Sequence, residues 1–257
     1  MPMSITYVKH FTLGEVPKVF VDKVLQIVSD FLEIANSIDY LEVYFYSSTE
    51  DKILFLEEEA LELGVIAVGD FVAMHEAWRG WPRIHIDFSR CLSLSDKHLR
   101  AVVIHEVSHA VLHGSPTYYY ISIPFIHLPQ LSFEQTAELI YLVTTAVKDL
   151  DVHDFITRLG MVNVLEDFVD FFIAQYKNLS CNNLEDVIQL AKVLTPCLFL
   201  NRCRVYEIIS KECLGLSSKI LEALKNFVEN RVGDISMDTQ QLLGKLLNIL
   251  SNFINST

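Results

Sequence analysis

Residues 105–109 read His-Glu-Val-Ser-His. On a helix, residues four apart lie on one face, so His105 and His109 can point at one ion. Glu106 sits one residue on, where its carboxylate can reach a metal-bound water. Two imidazoles for the metal and a carboxylate for the proton are the working parts of a zinc hydrolase, with Glu106 as general base. The five-residue pattern also arises by chance, so its surroundings decide how much it means.

Those surroundings predict a helix. Ser93-Leu-Ser-Asp96 supplies capping residues before an apolar-periodic run. Val103, Ile104, Val107, Ala110 and Val111 form one face, and His98, Val102, His105, His109 and His113 another. Gly114 follows where helices often stop. A lone histidine on such a helix is best explained as a core residue bonded to backbone. Two at this spacing, flanking a glutamate, favour a metal. His113 falls at the helix end, as a further ligand, an orienting group beside the ligands, or a cation on the helix dipole; the last two are favoured.

The rest of the chain sets the frame. With 257 residues it is long enough for a sizeable core in one or two domains. Hydrophobic residues make up 51 %, with 10 Tyr and 16 Phe, which excludes a disordered chain. A net charge of −13 argues against nucleic acid and anionic membranes as partners. No leader-like or spanning segment is expected: the apolar run Val193–Leu200 is short and broken by Pro196. The five cysteines are scattered without a CxxC, which suggests free thiols in a cytoplasmic protein. Disulfides are expected inside cells chiefly in hyperthermophiles.

The sequence divides near Gly160. Residues 1–160 are mixed. Val16–Ile38 is helical in period. Tyr40–Ser47, Gly64–Met74 and Arg83–Phe88 read as strands, with Gly80-Trp-Pro82 as a turn. Residues 161–257 are helical throughout, with runs at Val164–Tyr176, Leu184–Val193, Val205–Cys213, Ser217–Val228 and Thr239–Phe253. They read as a bundle closing one side of a cleft, or as a surface for homo-oligomer formation. The fold class is therefore α+β: an N-terminal helix, a small, mostly antiparallel sheet and two long helices, followed by an all-α domain.

The segment Tyr40–Asp154 resembles the core of gluzincin-type metallopeptidases. The resemblance implies a zincin-like fold, a bound Zn2+, a peptide or protein substrate, and an antiparallel edge strand that holds substrate extended. Val72–Trp78 or Arg83–Phe88 would be that edge, with His75, Glu76 and Arg79 near the cleft or simply exposed. The chain as a whole also resembles an uncharacterised archaeal family, a likeness that no single motif carries.

Catalytic zinc takes three protein ligands and a water. The helix expected from the capping box Ser132-Phe-Glu-Gln135 to Gly160 carries Glu134, Glu138, Tyr141, Thr145 and Asp149 on one face. That stripe lines a site or faces water. Glu138 and Asp149 lie about 16 Å apart along the axis, so one ion cannot use both. Glu134-Gln-Thr-Ala-Glu138 resembles one downstream gluzincin motif. Lys148-Asp-Leu-Asp-Val-His153 resembles another, which makes Asp149 the ligand and His153 the group supporting a metal-bound histidine, with Asp151 on the far side. Asp149 is preferred, with Glu138 and Glu134 kept as alternatives.

Cys91-Leu-Ser93 is similar to a peptide deformylase segment whose cysteine completes a metal site, a match lacking that family's glycine-rich companion. Donors for a developing oxyanion would come from Tyr118, Tyr119, Tyr120, Tyr141 or His153, the tyrosines being equally explained by packing. The apolar, proline-bearing segment Tyr118–Leu131 suits a lid, a cleft wall or a partner contact. Two functions compete: a zinc-dependent metallopeptidase, and a non-catalytic, metal-stabilised binding or regulatory protein. Glu106 favours the first, because a structural metal has no use for a base.

Overall fold

The computed structural model describes residues 6–35, 38–65, 71–119, 132–175, 181, 183–213 and 215–254. The chain forms two compact units, Met1–Tyr120 and Ile121–Thr257. The α+β class holds.

In the first unit the order is β1 (Tyr7–Leu13), α1 (Lys18–Ala35), β2 (Tyr40–Tyr46), α2 (Thr49–Leu63), β3 (Ala73–Glu76), β4 (Arg83–Asp87), a short α3 (Phe88–Cys91) and α4 (Asp96–His113). The sheet order is β1-β2-β4-β3. β1 and β4 both run parallel to β2, and only β3 is antiparallel to its neighbour β4. The expected antiparallel sheet is thus corrected. Helix α1 returns the chain to the edge where β1 began, which is what parallel neighbours require; after α2 the chain enters β3 at the opposite edge, and the Gly80 turn (φ 101°) makes β3 and β4 a hairpin, so β4 runs parallel to β2.

Strand β3 is the edge, and β4 lies inside the sheet. The strand expected over Gly64–Met74 is realised only from Ala73, with residues 66–70 outside the described set. Strand β1 and helix α2 escaped the sequence reading. In β1, inward and outward residues do not alternate cleanly, since this edge strand is mostly exposed. In α2, acidic residues outnumber buried apolar ones, because the helix covers charge.

Alternation along β2 and β4 gives the sheet two unlike faces. Leu41, Val43, Phe45, Ile84 and Ile86 are fully buried on one. Phe20 of α1 meets Phe45 edge-on there. The opposite face carries Glu42, Tyr44, Tyr46, Arg83, His85 and Asp87. Helix α2 answers it with Lys52 and Glu59. Arg83 also pairs with Glu76, and His85 bridges Glu76 Oε1 (3.0 Å) and the Tyr46 hydroxyl (2.7 Å).

The second unit is helical: α5 (Phe133–Arg158), α6 (Val162–Gln175), α7 (Leu184–Leu194), α8 (Arg204–Glu212), α9 (Leu216–Asn230) and α10 (Ile235–Ile254). Leu139, Val143, Val147 and Leu150 of α5 share a core with Leu190, Leu194, Leu224, Phe227, Leu242 and Leu246. This packing places α5 in the second unit, whereas the sequence put the division near Gly160. Gly160 ends α5 in the left-handed region (φ 74°), the conformation that favours glycine.

The expectation of free thiols is corrected as well. Cys181–Cys213 and Cys197–Cys203 are disulfides, with Cα separations of 6.0 and 5.2 Å, and Cys91 alone is free. Helix packing joins cysteines that the sequence scatters. Among the described residues no helix is long and apolar enough to cross a membrane.

Candidate metal centre

Helix α4 forms as its sequence predicts, with the cap at Ser95, whose side chain accepts the His98 amide. Its sides are buried almost all round, including Leu99, Val103, Ile104, Val107 and Ala110. Gly114 ends it with an ordinary negative φ of −72°. A Cβ there would lie 2.4 Å from the Ala110 carbonyl oxygen, so close approach, rather than a left-handed turn, calls for glycine.

The histidines meet in a row. His105 Nε2 and His109 Nε2 are 3.1 Å apart, and His109 Nδ1 is 3.1 Å from His113 Nδ1. His113 is buried, with Tyr118 edge-on at 4.9 Å. Glu106 is half-buried on the same helix. Strand β3 adds a residue that sequence placed only loosely. His75 opposes Ile84 across the hairpin, and so faces α4 rather than α2. Its ring lies parallel to that of His109 at 6.2 Å, and its Nδ1 is 2.9 Å from the Tyr119 hydroxyl.

Of the other residues expected near the cleft, Glu76 points to the opposite face of the sheet, onto Arg83 and His85. Arg79 pairs with Glu59 and Glu62. Cys91 is buried in α3, and burial, with the Asp87 charge adding, pushes its thiol up to about 12.

In the second unit the capping box at Ser132 and Gln135 is present. Asp149 is buried in α5, with Lys192 Nζ 3.9 Å away. Its neighbour Lys148 is also buried, and burial, partly offset by Asp149, pushes the amine down to about 8. Glu138 is exposed, as a solvated face requires. Glu134 lies on α5 with its side chain outside the described set. Tyr141 and Thr145 are half-buried. His153 is buried against Phe168, with Nδ1 3.1 Å from the Thr195 hydroxyl. Asp151 pairs with Arg231 on the far side of the helix. Tyr120 and the segment to Leu131 lie outside the described residues.

The histidine pair and Glu106 were legible from spacing alone. The approach of His75 and Tyr119 was not, because they lie 44 residues apart and only the hairpin's facing reveals it. Comparison with known proteins finds no match: no family model, no curated protein and no solved structure resembles this chain.

Proposed function

We propose that this protein is a zinc-dependent hydrolase acting on peptide bonds, with a zincin-like first unit. The observation that carries the reading is the pairing of His105 and His109 on one buried helix, their Nε2 atoms 3.1 Å apart, with Glu106 beside them. Two imidazole nitrogens that face each other at this distance offer two lone pairs to one ion. Asp149, in the segment Lys148–His153 that resembles a gluzincin ligand motif, is the third ligand of this reading. Two nitrogens and one carboxylate oxygen suit zinc and leave a position for water. A zinc ion bound there supplies a water of lowered pKa and an electrophile for the scissile carbonyl.

The remaining chemistry belongs to the chain. Glu106 takes the proton from water and returns it to the departing amine. Tyr119, held by His75, supplies a hydroxyl on the β3 side of the site. Strand β3 offers an edge along which an extended peptide can pair. A cytoplasmic location belongs to the same reading.

The proximity of Lys192 to Asp149 favours a second reading, in which Asp149 is an ion-pair partner and the metal serves stability or binding. Zinc content of the purified protein and of D149A, E138A and E134A separates the two. Loss in D149A alone supports the three-ligand site. Glu106→Gln should keep its zinc and lose on the order of 10²- to 10⁴-fold in peptide hydrolysis. Wild type that holds no zinc after reconstitution overturns the proposal.

A further inference from the structure

The row of histidines on α4 extends past the two proposed ligands. His105 Nε2 meets His109 Nε2, and His109 Nδ1 meets His113 Nδ1, each at 3.1 Å. Each contact joins two ring nitrogens, so it is a hydrogen bond only if one nitrogen carries a proton and the other does not. Three neutral imidazoles satisfy both contacts in two ways. In one, protons sit on His105 Nε2 and His109 Nδ1, and His113 accepts. In the other, they sit on His113 Nδ1 and His109 Nε2, and His105 accepts.

A ligand histidine must present a bare nitrogen. If His105 and His109 bind an ion through the facing Nε2 atoms, the proton of His109 must stay on Nδ1. Its neighbour must then accept. We infer that His113 is a positioning residue for the metal centre: its Nδ1 accepts the His109 Nδ1 proton and holds His109 in the tautomer that can ligate. The burial of His113 and its packing on Tyr118 fix the ring that receives this bond. Acceptors behind a ligand histidine commonly set its orientation and basicity. The residue in that place here comes from the same helix, one turn on.

The inference rests on the metal reading above, and the experiment keeps the two apart. Zinc affinity is measured by competition with a chromophoric chelator for wild type, H105A, H113F and H113N. Phenylalanine keeps the ring and removes the acceptor. Asparagine restores an acceptor oxygen close to the place of Nδ1. H113F should lose about 10- to 100-fold in affinity, and H113N should recover most of it. Side-chain nitrogen NMR of the zinc-loaded wild type should show His113 protonated at Nε2 and bare at Nδ1. A purely packing role would leave H113F close to wild type and H113N the worse variant. That result, or a His113 protonated at Nδ1 with zinc bound, overturns the inference while the H105A loss leaves the metal centre standing. Wild type without zinc affinity overturns both.

Discussion

In the first unit Arg83, Lys52, Glu76 and Asp87 are removed from water together with His85, and hydrogen bonds satisfy them across the sheet and α2. In the second unit the interior is chiefly leucine, valine and isoleucine, closed by two disulfides. Its buried charges are confined to a few residues, such as Lys148, Asp149 and Asp238. The contrast shows two ways of holding a fold. Apolar burial is non-directional and tolerates rearrangement. A buried ionic network specifies geometry and fails badly when one member is lost. The first unit carries the rigid helix with the candidate catalytic groups, and its sheet is braced from behind by that network.

Both tryptophans, Trp78 and Trp81, lie in the first unit, so their fluorescence reports on it, while circular dichroism weighs the many helices of the second. Among single substitutions the largest effect on stability is expected from Arg83→Met. It strands Glu59 and Glu76 without their main cation, and should cost roughly 3–5 kcal/mol in urea unfolding followed by fluorescence. A dichroism change of equal size at the same urea concentration would show that the two units unfold as one, and the contrast would lose its energetic meaning.

Reduction tests the other side. Cys181 and Cys213 are separated by 32 residues, and opening that link should cost about 3–4 kcal/mol, with about 2 more for the six-residue Cys197–Cys203 loop. Dithiothreitol should lower the thermal midpoint seen by dichroism and leave the tryptophan transition in place. A fluorescence transition that moves equally would break the comparison.

Acid sharpens it further. Burial raises the pKa of Glu59 and Asp87, but hydrogen bonds from Arg83 and Arg79 to Glu59, and from Ser89, Thr49 and Lys52 to Asp87, outweigh it. Both carboxyls end below their ordinary range. A depressed carboxyl adds stability that is present above the unfolded pKa and lost as pH falls through the folded one. His85 is held below its ordinary value, chiefly by burial, so the unfolded state gains its proton first as pH falls below about 6.5. Fluorescence-detected stability should decline gently below about pH 6.5 and steeply below about pH 4. Glu59→Gln should flatten the lower part of that curve. An unchanged slope would mean that the pair contributes no pH dependence.

The smallest effect concerns a cap. Ser95→Ala removes the acceptor for the His98 amide and should cost about 1 kcal/mol, seen by fluorescence. Zinc affinity should hold, because His105 lies beyond the first turn.

Much of this architecture was legible in the sequence. Helix α4, its serine cap, the capping box at Ser132 and the helices after Gly160 all follow from local signals, since caps and helical periods are read within a few residues. The pairing of His105 with His109 belongs to the same class, because one helical turn dictates it. Helix α2 was hidden because its inward residues include Lys52 and Glu59, which no hydrophobic period reveals. The parallel sheet was hidden because strand direction depends on where crossovers return, and the disulfides because helix packing brings together cysteines that sequence separates.

What the sequence determined by itself, then, is the helix and the row of histidines that one helical repeat places on it, because the backbone geometry of a helix is local. What only the tertiary structure decided is which face of β3 turns His75 toward that row, which charges brace the far side of the sheet, and which unit buries α5. Those depend on contacts between residues distant in the chain, whose energies are summed only when the chain has folded.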